Sequence, residues 1–199
     1  TVLTCMGSHL RHVGDTARSR EMFERALAIR ETVLGPDHPQ TAVTLNDMAL
    51  LLTDAGELER ASAILKRTVV ISERSQGPEH LDLAASLNNL GGVLVSLGRL
   101  VEASDVLARA QAIYDKVATA DFPAANRARR NVARLLLAQS RPDEALAHAQ
   151  AAVAGHERVF GPGHRTTLES AKVLADVLAA AGNTAEAGEI RARYGISAG

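Results

Sequence analysis

"TLNDMALLLTDAGELERASAILKR" (residues 44–67) returns 42 residues later as "SLNNLGGVLVSLGRLVEASDVLAR" (86–109), and once more as "ARRNVARLLLAQSRPDEALAHAQA" (128–151). The three stretches overlay without a gap, and a fourth copy follows to Arg193. Gly56, Gly98 and Gly182 fall in one column, with Ser140 as the exception, and Ala61, Ala103, Ala145 and Ala187 fall in another. Self-similarity at a fixed period of 20–50 residues marks a repeat architecture. The period divides the chain into one array, 1–199, with repeats of approximately 1–33 (partial), 34–75, 76–117, 118–159 and 160–195.

Within each repeat the pattern predicts two helices. Leu45, Met48, Leu51 and Leu52 recur at spacings of three and four, the signature of an apolar helical face. Gly56 ends that helix, because glycine takes the left-handed conformation at a helix end without steric penalty. A second helix runs from about Leu58 to Arg74, with Ala61, Ile64, Leu65, Thr68 and Ile71 inward. The small alanines of its column let neighbouring helices approach closely. Composition agrees: 46% of residues are apolar and only 3% aromatic, which favours closely packed helices over strands.

The repeats are joined at corners reading "GPDHP" (35–39), "GPEHL" (77–81) and "GPGHR" (161–165), with "TADFP" (119–123) in the remaining position. Equivalent corners lie at least one helix spacing apart, about 8–10 Å. A shared zinc needs ligands within about 2.1 Å, so His38, His80 and His164 cannot converge on one ion. Phe122 in the same column indicates packing at a helix start rather than ligation. The expectation is punctuation, with no metal and no cofactor.

The columns of "LGPDHPQTAVTLNDMALLLTDAGELERASAILKR" (34–67), "SLNNLG" (86–91) and "ERALAIRETVLGPDHP" (24–39) resemble tetratricopeptide repeats of the long, kinesin-light-chain type. That resemblance implies an all-α, right-handed superhelical solenoid of antiparallel helix pairs, whose first helices line a concave groove for a peptide or a partner's helix. It also implies that an asparagine column faces the groove and grips peptide backbone, since an amide both donates and accepts. The candidate positions are Asn46, Asn88, Arg130 and Lys172 in one column, and Asp47, Asn89 and Asn131 in the next. Arg127, Arg130 and Arg134 share one helical face, and planar guanidinium forks suit carboxylates. The expected ligand is therefore a protein or peptide with acidic groups near the 118–159 repeat.

Other chemistries find little support. No Gly-x-x-x-x-Gly-Lys phosphate loop occurs, so a nucleotide switch would lie outside this chain. The second histidine of "HERVFGPGH" (156–164) comes too late for a zinc-protease helix, and Gly91, Gly92 and Gly98 form no dinucleotide fingerprint. No catalytic set emerges. Net charge is −1, which points to neither nucleic acid nor an acidic membrane. The single cysteine, Cys5, suits a reducing compartment and is expected as a small buried thiol. The start in mid-pattern, "TVLTCMG", reads as a piece of a longer cytoplasmic protein, with Val2, Leu3 and Met6 open to self-association. A self-assembling array, and a sensing array of a nucleotide-switch ATPase, are the rival readings.

Overall fold

Ten helices and no strands make up the described residues, 2–117 and 122–197, of the computed structural model. They form two compact units, residues 1–97 and 98–199. In the first, α1 (Val2–His12), α3 (Pro39–Asp54) and α5 (Leu81–Ser96) pack side by side as one layer. The second layer is α2 (Thr16–Val33) and α4 (Leu58–Gln76), each wedged between consecutive first-layer helices. In the second unit, α7 (Pro123–Ala138) and α9 (Arg165–Ala180) pack together, and α8 (Pro142–Phe160) packs against both. Alongside them, α6 (Leu100–Val117) lies on α7 and α10 (Thr184–Tyr194) on α9. No described helix is long and apolar enough to cross a membrane.

The layers are held by the columns that carry the repeat. Leu45, Leu52, Leu65 and Leu83 are fully or almost fully buried in the first unit, as are Leu107, Val177 and Leu178 in the second. Each such side chain contributes about 1.5–3 kcal/mol relative to exposure. Ala49, Ala133 and Ala175, which share one repeat column, are fully buried. Gly7 stands in the same column, and a Cβ there would lie 2.9 Å from the buried Phe23 ring.

Turns inside the pairs follow one design. Gly56 has φ +77°, and the amides of Gly56 and Glu57 bond back to the carbonyls of Thr53 and Leu52 at 3.0 and 2.8 Å. Ser140 takes the same conformation with φ +59° and the same two bonds, at 3.0 and 2.9 Å. A side chain in that region costs roughly 1–2 kcal/mol, so the turn geometry, not the residue, is what the repeat demands.

The corners are helix caps. Nδ1 of His38, His80 and His164 accepts the backbone N–H of Gln40, Asp82 and Thr166 at 3.1, 3.1 and 3.2 Å. Each histidine has extended backbone, as an N-cap requires. Thr41 and Thr167 add a second clasp, donating their hydroxyls to the carbonyls of Gly35 and Gly161. Phe122 occupies the cap position of α7 with no side-chain bond and packs its ring 6.0 Å from that of Tyr114. Residues 119–121 of "TADFP" lie outside the described residues.

Candidate functional site

The outer face of the α7/α9 layer gathers cations. Arg130 donates from Nη1 to Oε2 of Glu169 at 2.7 Å, and Arg165 donates from Nε to Oε1 of the same carboxylate at 3.0 Å. Arg134 reaches Oδ1 of Asn131 at 3.4 Å. Burial lowers the pKa of Arg127 and Arg134, with the charge of Arg130 adding to the effect and Glu169 opposing it. Burial alone would raise the Glu169 carboxyl, but the charge and hydrogen bond of Arg130, with Arg165, outweigh it and hold it below the ordinary value. Lys172 is exposed one turn further along α9. Two guanidinium groups thus share one carboxylate, and those of Arg127 and Arg134 feel its charge.

Beneath this face lies a buried polar joint. His156 is fully buried on α8, with Nε2 3.2 Å from the Pro123 carbonyl and Nδ1 2.9 Å from the Ser170 hydroxyl. A carbonyl can only accept, so Nε2 carries the proton and Nδ1 accepts from Ser170. Burial pushes the imidazole down to about 4, and the charges of Arg130 and Arg127 act in the same direction. Next to it, Asn126 is fully buried against Gly155, and Arg129 donates to its Oδ1 at 2.7 Å. This bond explains an arginine in a column that holds Leu45 and Leu87 in earlier repeats.

The corresponding face of the first unit has a different chemistry. Asn89 donates to Asn46 across α5 and α3 at 3.0 Å, which leaves Asn46 with its amide hydrogens and Asn89 with its carbonyl oxygen. Val43, Asn46, Gln76, Asp82, Ala85 and Ser86 line a hollow of about 120 Å³ beside them. Burial pushes Asp47 up to about 6, against the opposing charges of Arg11 and Arg30. Arg11 pairs with Asp54 at 2.9 Å, and Arg30 bonds the Gln40 carbonyl at 2.7 Å and the Thr44 hydroxyl.

Of the residues singled out in the sequence, Asn46, Asp47, Asn89, Arg127, Arg130 and Arg134 are half-buried on these faces. Asn88 and Asn131 are buried at 2% and 6% exposure, behind the surface rather than on it. Cys5 is exposed on α1, not buried; Thr4 and Gly7 are the buried residues of that helix. Sequence reading missed Glu169 and Arg165, and weighed His156 only as part of a zinc-helix motif that fails on spacing. The available signal was a carboxylate two repeats after Ala85, on the helix that follows the arginines. Among the described residues no cluster of three or more His, Cys, Asp or Glu could hold a metal.

A family model described as tetratricopeptide repeat matches residues 1–69, 48–116 and 124–190. No curated protein matches the chain. Among solved structures, the repeats of a kinesin light chain from Podosopora anserina align with TM-score 0.75 and 23% identity, over 97% of this chain and 91% of that one. BtubC (BKLC) from P. vanneervenii aligns with TM-score 0.74 and 18% identity, over 99% and 81%. A Rap protein complexed with competence and sporulation factor aligns with TM-score 0.82 and 14% identity, over 96% of this chain and 52% of its own. At these identities the likeness concerns the fold, an all-α array of helix pairs.

Proposed function

The chain belongs to the tetratricopeptide-repeat family and is a protein-interaction repeat module, and from that premise we propose that its first-helix faces bind an extended peptide or partner segment, with acidic groups placed on α7 and α9. The observation that carries this reading is the set of Arg127, Arg130, Arg134 and Arg165 around the carboxylate of Glu169. The partly buried guanidinium groups of Arg127, Arg130 and Arg134 meet a ligand carboxylate where water screens little, and their forks match its two oxygens. In the first unit the amide pair Asn46–Asn89 offers both a donor and an acceptor to peptide backbone. Asn131 serves here by orienting Arg134, while Asp47 disfavours acids on its own face. A Rap protein of the same fold is held in complex with a competence and sporulation factor, which agrees with ligand capture by such an array. The reading assigns the chain no catalysis.

The test is fluorescence anisotropy with a labelled glutamate-rich peptide. A hydrogen bond to a charged group contributes about 1.5–3 kcal/mol, so Arg127→Ala should weaken binding about tenfold or more. Arg25→Ala, on an exposed face of α2 beside Glu21, should leave it unchanged. Equal effects of the two substitutions would show that the arginines are only a solvated face. A second reading, self-association through α1, is favoured by the exposed stripe of Val2, Met6 and Val13. A sedimentation series that stays monomeric at every concentration would rule it out.

A further inference from the structure

Glu169 occupies the place an acidic ligand would take. Its two oxygens are used by guanidinium groups on two helices, Arg130 of α7 at 2.7 Å and Arg165 of α9 at 3.0 Å. The Arg130 side chain is only 15% exposed, so most of its surface is already covered by protein. A ligand carboxylate that seeks a two-point contact with Arg130 therefore meets Glu169 first. Glu169 is the more exposed partner: its side chain is 42% exposed, and Arg165, which holds it from one turn earlier, is 66% exposed.

The repeat supplies an internal control. Two periods earlier, Arg130 corresponds to Asn46 and Glu169 to Ala85. There the space between first-layer helices is open, a hollow of about 120 Å³ with Asn46 and Ala85 in its wall. At that place in the repeat Val43, Asn46 and Ala85 wall a surface hollow, and two periods later Arg127, Arg130 and Glu169 stand there, with the Glu169 carboxylate bound to Arg130. The glutamate accompanies the arginine: where Asn46 stands in place of Arg130, the corresponding position holds alanine.

We propose that Glu169 is an internal competitor, an autoinhibitory carboxylate that must leave Arg130 before an acidic ligand binds the α7/α9 face. The proposal rests on the acidic-ligand reading of that face. It sets a threshold: a single weak carboxylate exchanges one ion pair for another with little gain, whereas a ligand with several acidic groups also engages Arg127 and Arg134. Selectivity then favours clustered acids over isolated ones.

The experiment measures the Kd of the labelled glutamate-rich peptide, and of its glutamine-rich counterpart, for the unaltered chain, Glu169→Gln, Glu169→Ala and Arg127→Ala. The expected result is tighter binding of the glutamate peptide by both Glu169 variants, about tenfold, with the glutamine peptide unchanged. Equal tightening of both peptides would mean that the substitution merely opens space, and would overturn the competitor role. Unchanged or weaker binding by the Glu169 variants, with Arg127→Ala still weakened, would overturn it too and make Glu169 a positioning residue for Arg130. If Arg127→Ala also binds as the unaltered chain does, the acidic-ligand reading fails first and the competitor falls with it. Thermal melts of the variants confirm that each is folded before its affinity is read.

Discussion

At His38, His80 and His164 an imidazole nitrogen does what a serine or aspartate oxygen usually does, accepting the amide two residues into the helix. The residue type is unusual for an N-cap, but the geometry is not: the backbone is extended and an acceptor lies over the orphan donors of the first turn. Imidazole adds a ring surface, and His164 uses it by stacking on Phe160 with centroids 4.5 Å apart. Loss of a capping side chain costs about 1 kcal/mol. Each His→Ala change should therefore cost about 1 kcal/mol of stability, the three together about 3 kcal/mol, read as a lower urea midpoint, and His→Asn should recover most of it because asparagine caps well. Denaturation curves for the triple variant that overlay the unaltered chain would show the imidazoles to be bystanders. At Phe122 helix α7 starts without this bond, and the ring packs against that of Tyr114 instead.

Between elements, the α7–α8 contact has exchanged a large and a small residue relative to its counterparts. In the first unit Ala42 of α3 packs with Ile71 of α4 in one apolar cluster. At the equivalent positions stand Asn126 and Gly155, and a Cβ on Gly155 would fall 2.2 Å from the Asn126 amide nitrogen. The volume has moved from the second helix to the first. Gly155→Ile alone should overpack the joint and cost roughly 3 kcal/mol or more, while Asn126→Ala alone should leave a cavity costing about 1–3 kcal/mol. Together they rebuild the Ala–Ile pair, so the double variant should recover most of the loss, with a coupling free energy above about 1 kcal/mol in a double-mutant cycle. Simple additivity would mean that the two positions do not share a space. The swap also removes the buried partner of Arg129, a polar cost that the apolar pair must offset.

Across the whole chain, acid should act on the two units in opposite directions. His156, held down to about 4 in the folded state, stays neutral there while the unfolded chain takes up a proton below its ordinary 6.5. Through this group its unit loses stability as pH falls from about 6.5 to 4, by roughly 3 kcal/mol, and His156 itself contributes no further change outside that window. Asp47, pushed up to about 6, keeps its proton in the folded state where the unfolded chain, with its 3.8, has released it. Its unit loses stability as pH rises from about 4 to 6, and so gains on acidification from 7 to 5, by on the order of 1–3 kcal/mol. Hydrogen exchange, corrected for the intrinsic pH dependence of the amides, should show α3 better protected at pH 5 than at 7 and α8 less. Asp47→Asn should abolish the first trend and His156→Gln the second. Parallel shifts in both units would refute the assignment.

What the sequence alone determined is what recurs locally. The 42-residue period, the helix pairs, the left-handed turn at Gly56 and the corner at each Gly-Pro step depend on residues within about one turn or one repeat of each other, so one chain displays them several times over. Family and fold class follow from the same columns. Ser140 shows the strength of that repetition, since it adopts the glycine conformation without being glycine. Only the tertiary structure decided which charges meet. Arg130 finds Glu169 39 residues away on the next first-layer helix, and no periodicity announces it because each of the two residues breaks its own column. The burial that moves Asp47 up and His156 down is likewise a property of packed helices, not of neighbours in the chain. Cys5 was misread for the same reason: small size suggests burial, but which side of α1 faces α2 and α3 is settled by packing. Hydrogen bonding and torsional preference act over a few residues and leave a signature in the sequence, whereas desolvation and charge pairing act through space and leave none.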